Sequence, residues 1–141
     1  MEYMIWKIRI SFLWIFMAVA MSAHSLLALM ELDIAEQMWA TEMGGGMLVL
    51  LALFCWLIPL SMAVLTVTLN DTTNRWTNLV LGIVFTLFNI YHLIEHLTTA
   101  LAIHQILVIG STIVVTALVA WLAWKWPKQV IETDEEDVTD K

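Results

Sequence analysis

Four stretches of this chain, at about residues 8–30, 46–69, 77–100 and 104–126, are nearly unbroken apolar runs. About 20 helical residues cross the hydrocarbon core of a bilayer. Backbone groups at that depth must be hydrogen-bonded internally, which helices achieve within a single segment. The runs therefore predict an all-α integral membrane protein with four transmembrane helices. A soluble fold fails on area: 61% of the 141 residues are hydrophobic and 13% are charged. A chain this short has too little interior to bury so much apolar surface. The links at Asn70–Asn74 and around Leu101–His104 are short, which favours an antiparallel up-down bundle.

Lys7 and Arg9 precede the first run, a pattern shared with secretory signals. The run is too long for a usual signal core, and Ala20-Met21-Ser22 is only a passable cleavage site, so the segment reads as a retained span. The six basic residues, Lys7, Arg9, Arg75, Lys125, Lys128 and Lys141, all lie before span 1, between spans 2 and 3, or after span 4. Cytoplasmic loops carry the Lys/Arg excess. Both termini are thus expected in the cytoplasm, in a multi-pass protein of the plasma membrane. Trp6, Trp76, Trp121, Trp124 and Trp126 would lie near the inner interface and Trp39 near the outer one, where indoles prefer to sit.

A net charge of −7 with few, scattered basic residues excludes a nucleic-acid partner. Much of that charge falls in residues 128–141, an acidic tail with no apolar face, expected to be disordered in the cytoplasm. Residues 1–127 form the expected bundle. The outer loop after span 1 carries Glu31, Asp33, Glu36 and Glu42, and Ile34, Met38 and Trp39 could line a short interfacial helix there. Gly44-Gly45-Gly46 reads as a flexible entry to span 2. Pro59 predicts a kink in that span. The lone Cys55 permits no intrachain disulfide and reads as a buried core residue.

Span 3 is the exception to apolar monotony. Asn78, Gly82, Thr86, Asn89, His92, His96 and Thr99 recur at threes and fours, hence on one helix face, with Glu95 at its edge. A charge at the bilayer centre costs at least about 2.5 kcal/mol on insertion scales, so this stripe must face other helices, a ligand or water. Asn78 and Thr86 read as interhelical glue. The full stripe also admits proton or ion conduction, which in so small a bundle would need an oligomer.

At 1.5 Å per residue, His24 lies about 24 Å along span 1, while His92 and His96 lie about 22 and 28 Å along span 3. His104 opens span 4. All four histidines thus fall in the outer part of the membrane. His92 and His96, at i and i+4, can face one centre, with His24 and His104 as further donors. Glu95 would be a ligand or would orient a histidine. Imidazoles suit a transition metal such as zinc or copper, and nearby thioethers (Met30, Met38, Met43, Met47) would favour Cu(I). Haem ranks lower, because its propionates would find no Lys or Arg on the outer side. His92-Leu93-Ile94-Glu95-His96 matches the inverted zinc-protease string H-x-x-E-H, but three fixed residues in five recur by chance, and nothing else supports an enzyme.

Ile58-Pro59-Leu60-Ser61-Met62, then Asn74-Arg75-Trp76-Thr77-Asn78 and a closing Trp124-Lys125-Trp126, resemble a family of small four-helix prokaryotic membrane proteins without an assigned activity. The resemblance covers the last two thirds of the chain. Leu57 stands where that family often has an acidic residue. The resemblance implies the four-helix fold and an inner-side turn at Asn74, Arg75 and Asn78, with Arg75 capping or pairing with Asp71; it implies no chemistry. Vitamin K epoxide reductase-like bundles are excluded by the single cysteine.

The resulting expectation is a membrane protein that binds a metal ion or small ligand at His24, His92, Glu95, His96 and His104. The alternatives are a small transporter or channel subunit using the span 3 stripe, and an accessory subunit of a larger membrane complex. The bilayer is the expected partner, with a homo-oligomer or a larger membrane complex around the bundle.

Overall fold

The structure, a computed structural model, describes residues 2–31, 45–99 and 102–127. Among these, all regular structure is helical and there is no strand. Helix α1 runs from Glu2 to Glu31. Helix α2 (Gly45–Ala52), a π-helical turn (Leu53–Leu57) and α3 (Ile58–Thr68) follow end to end. Then come α4 (Asp71–Thr99) and α5 (Ile103–Trp124). Four helical segments are long and apolar enough to cross a membrane: Tyr3–Leu27, Val49–Thr68, Asp71–Thr98 and Ile103–Trp124. The interfacial helix expected around Ile34 to Trp39 and the tail at 128–141 lie outside the described residues.

Side-chain pairings give the topology. Ser11 Oγ donates to Ala63 O (2.7 Å) and Trp56 Nε1 donates to Ser22 Oγ (2.6 Å), so α1 runs antiparallel to the second segment. Trp14 meets Asn78 and His24 meets His92, so α1 and α4 are parallel. Thr86 meets Thr116, so α4 and α5 are antiparallel. This is up-down connectivity. Helix α1 packs on α3 and α5, and α4 packs chiefly on α5, whereas α3 and α4 meet over a small area. There Phe54, from the π-helical turn, fills the space by stacking on Phe88 at 5.2 Å between centroids and lying 5.6 Å from Phe85.

Buried positions recur at threes and fours on each helix. On α1 they are Ile10, Trp14, Met17, Met21 and His24; on α4, Asn74, Asn78, Phe85 and Asn89; on α5, Gln105, Ile109, Thr112, Thr116, Val119 and Ala123. The opposite faces are apolar and exposed, as at Phe12, Val19, Leu87, Tyr91, Leu107 and Val114. Water would not tolerate so large a continuous apolar surface. Gly82 allows a close approach of α4 to α5, since a Cβ there would stand 2.8 Å from Ala120 N and 3.0 Å from its Cα.

Pro59 acts through the π-helical turn. It has no N–H for the carbonyl of Cys55, and its ring would clash with that carbonyl in a regular helix. The chain inserts one extra residue, so that Ile58 N–H bonds Leu53 O, five residues back. The disturbance expected from Pro59 takes this form, with backbone angles around it still right-handed helical.

The link between α3 and α4 is shorter than its sequence reads. The polar run Asn70–Asn74 is mostly helix, because Asn70 Oδ1 accepts from Thr73 N (3.0 Å) and caps α4. Asp71 pairs with Lys7 of α1 at 2.9 Å, not with Arg75, and Lys7 Nζ also donates to Leu69 O (2.8 Å). Lys7 reaches across the bundle to satisfy a carboxylate and a helix-terminal carbonyl together, while the Arg75 guanidinium lies 5.7 Å from the Trp76 ring centroid. Asn74 and Asn78 likewise sit in the first turns of α4 and not in a turn.

Candidate metal centre

At the end of the bundle opposite Lys7 and Asp71, three histidines take over core positions. His24 follows Met17 and Met21 on the buried face of α1 and is itself 7% exposed. His92 and His96 follow Phe85 and Asn89 on the inward face of α4 and are half-buried. One ring nitrogen from each of the three can be chosen so that all lie within 4.8 Å of one another. His24 Nε2 and His92 Nε2 are 3.1 Å apart. Ring centroids are separated by 5.0 Å (His24–His92), 5.1 Å (His24–His96) and 4.7 Å (His92–His96), with each pair nearly perpendicular.

These distances suit a first-row metal ion. Zn–N bonds of about 2.0–2.1 Å at tetrahedral angles put ligand nitrogens about 3.3 Å apart. The His24–His92 separation is already close to that value. Two further atoms favour a ligand. His92 Nδ1 faces Glu95 Oε2 at 3.7 Å, which leaves Nε2 turned toward His24. A carboxylate hydrogen-bonded to one ring nitrogen fixes the tautomer that presents the other to a metal, and Glu95 stands just beyond that distance from His92. His96 Nδ1 is buried without a hydrogen-bond partner.

Glu95 thus stands behind His92, with an exposed side chain, and not on the side where the three rings converge. A general base for metal-bound water would have to face that centre, so the H-x-x-E-H string lacks the geometry of a protease. His104 does not join the group of three among the described residues. The inward face of α5 runs through Gln105, Ile109 and Thr112, and residue 104, one step of about 100° away, is exposed. Met30 is also exposed, at 75%; the side chains of Met38, Met43 and Met47 lie outside the described residues, as do those of Glu31 and Thr99.

The inner part of the α4 stripe is otherwise engaged. Asn78 Oδ1 accepts from Trp14 Nε1 (2.6 Å) and Thr66 Oγ1 (3.2 Å), and Asn78 Nδ2 donates to Asn74 O (2.9 Å) and Oδ1 (2.6 Å). Asn74 Nδ2 donates to Thr66 O at 2.6 Å. Thr86 Oγ1 donates to Gly82 O at 2.7 Å and lies 3.0 Å from Thr116 Oγ1. Trp14 and Phe85, both essentially inaccessible, pack edge to face at 5.4 Å, between Asn78 and the histidines along α4. Asn89, above Phe85, is fully buried. Gln105, which no sequence motif marks, is 2% exposed. Its spacing of four and seven from Ile109 and Thr112 was the available signal.

The chain matches no family model, no curated protein and no solved structure. The resemblance to small four-helix prokaryotic proteins therefore rests on its short motifs alone.

Proposed function

We propose that this chain is a four-span membrane protein, with both termini cytoplasmic, that binds one transition metal ion through His24, His92 and His96 near the outer face. The observation that carries the reading is the convergence of three imidazoles from two helices, with one ring nitrogen from each within 4.8 Å of the others. Polar side chains in an apolar interior are costly unless satisfied, and a metal ion satisfies three ring nitrogens at once. Zinc or copper suits an all-imidazole set better than magnesium or calcium. Glu95 serves as the carboxylate behind His92. His104 and the methionines are not needed.

The 3.1 Å separation of His24 and His92 also fits a hydrogen bond between neutral rings, which favours a second reading in which the cluster only packs. Elemental analysis of protein purified from its own membrane separates the two. The metal reading predicts close to one equivalent of zinc or copper in the wild type and background levels in the His92→Ala/His96→Ala double variant. The packing reading predicts no retained metal in either, and a lower unfolding midpoint in the variant. Asn78 and Thr86 are engaged in hydrogen bonds within the bundle, as expected of interhelical glue. Proton- or ion-dependent flux in proteoliposomes, abolished by Glu95→Gln, would favour conduction along the stripe; a stable complex with co-purifying partners would favour the accessory role.

A further inference from the structure

Asn89 is the one fully buried polar side chain on α4 whose amide has neither its donor nor its acceptor engaged: Nδ2 and Oδ1 both lack a hydrogen-bond partner. The other buried asparagines of this helix, Asn74 and Asn78, are bonded through their amides. Leaving such an amide unpaired costs about as much as a lost hydrogen bond or more. Polar groups of this kind in a native interior call for an explanation, and an exogenous ligand is one. Its place in the fold supplies the candidate. Asn89 shares the inward face of α4 with His92 and His96, three and seven residues further on. The register of α1 against α4 brings His24 onto His92, one turn beyond Asn89. Phe85, one turn before Asn89 on the same helix, is buried and apolar.

Three imidazoles leave a four-coordinate metal with one position open. We propose that this fourth position takes a small exogenous oxygen or nitrogen donor, water at rest, held by the Asn89 amide. The inference rests on the metal reading above. An amide suits the task because it donates through Nδ2 and accepts through Oδ1. It can therefore hold a metal-bound water, which donates, or a small anion, which accepts. Asn89 is then a positioning residue for the ligand and not itself a metal ligand. The site becomes one that binds a small molecule at a metal, rather than a closed structural centre.

The test uses the full chain in detergent, loaded with Co(II), with azide as the probe of the open position. Wild type is expected to bind one Co(II) and to change its visible d–d spectrum on azide addition. Asn89→Leu, close in volume, is expected to keep Co(II) affinity within about threefold while weakening azide about tenfold, the worth of one hydrogen bond to a charged group. Its unfolding midpoint without metal should equal or exceed that of wild type, since an unpaired buried amide has been removed. A purely structural Asn89 would instead lower that midpoint and leave azide binding unchanged; either result overturns the proposal. Asn89→Gln or Asn89→Ser, which retain donor and acceptor, should recover part of the azide affinity. Failure of the wild type to bind Co(II) removes the metal reading and this inference together. Normal Co(II) binding with no azide response in wild type removes this inference alone.

Discussion

At the scale of single residues, the bundle holds two polar clusters of different kinds. Around Asn78 every amide atom is engaged, and the indole of Trp14 depends on it for its only hydrogen bond among the described residues. Asn78→Leu should lower stability by about 1–3 kcal/mol, because it strands buried donors on Trp14 and Thr66. That exceeds the ~0.6 kcal/mol of an average hydrogen bond between membrane helices, and reversible unfolding in mixed detergent micelles would measure it. Around His24 three imidazoles from two helices converge. Glu95→Gln should weaken metal binding by about 10- to 100-fold without removing it, the usual effect of losing a carboxylate behind a ligating histidine; competition with a chelator reads this directly. His104→Ala should leave the affinity unchanged, since that residue stands on an exposed face. The spacing of His92 and His96, and the shared depth of His24, could be read from helical geometry alone. The exposed position of His104 could not, because it turns on which face of α5 meets α4.

At the scale of elements, the close approach of α4 to α5 depends on Gly82. Gly82→Ala puts a methyl group against the Ala120 backbone, which cannot move without separating the helices. A loss of about 1–3 kcal/mol is expected for overpacking, again measurable by detergent unfolding, with Gly82→Leu more severe. The π-helical turn shows why local rules stop short. Pro59 announces a disturbance, but whether it becomes a bend or an inserted residue depends on what the displaced side chains meet. Here the turn delivers Phe54 into the space between the second and third segments, onto Phe85 and Phe88. The early start of α4 has a similar origin. Asn70 to Asn74 is polar enough for a loop, but Lys7 arrives from another helix to hold Asp71 and the Leu69 carbonyl. Pairings between distant segments of the chain are invisible to periodicity.

For the whole molecule, four apolar runs and two short links are enough to specify an up-down bundle, and the structure has four helical segments of the required length. The proposed orientation rests on where the basic residues fall. Labelling with an impermeant maleimide in a Cys55→Ser background tests it: Glu36→Cys should react from outside intact cells, and Lys141→Cys only after the membrane is opened. The reverse pattern would put the histidine cluster on the cytoplasmic side. The central claim, however, is that this bundle ends in a metal centre built from three imidazoles of two helices. X-ray absorption at the metal K-edge tests it most directly. For zinc, a first shell of nitrogen or oxygen near 2.0–2.1 Å, with outer-shell scattering that fits three imidazoles, is the predicted result. A sulfur shell near 2.3 Å, a shell with fewer than three imidazoles, or protein that retains no metal at all would contradict it.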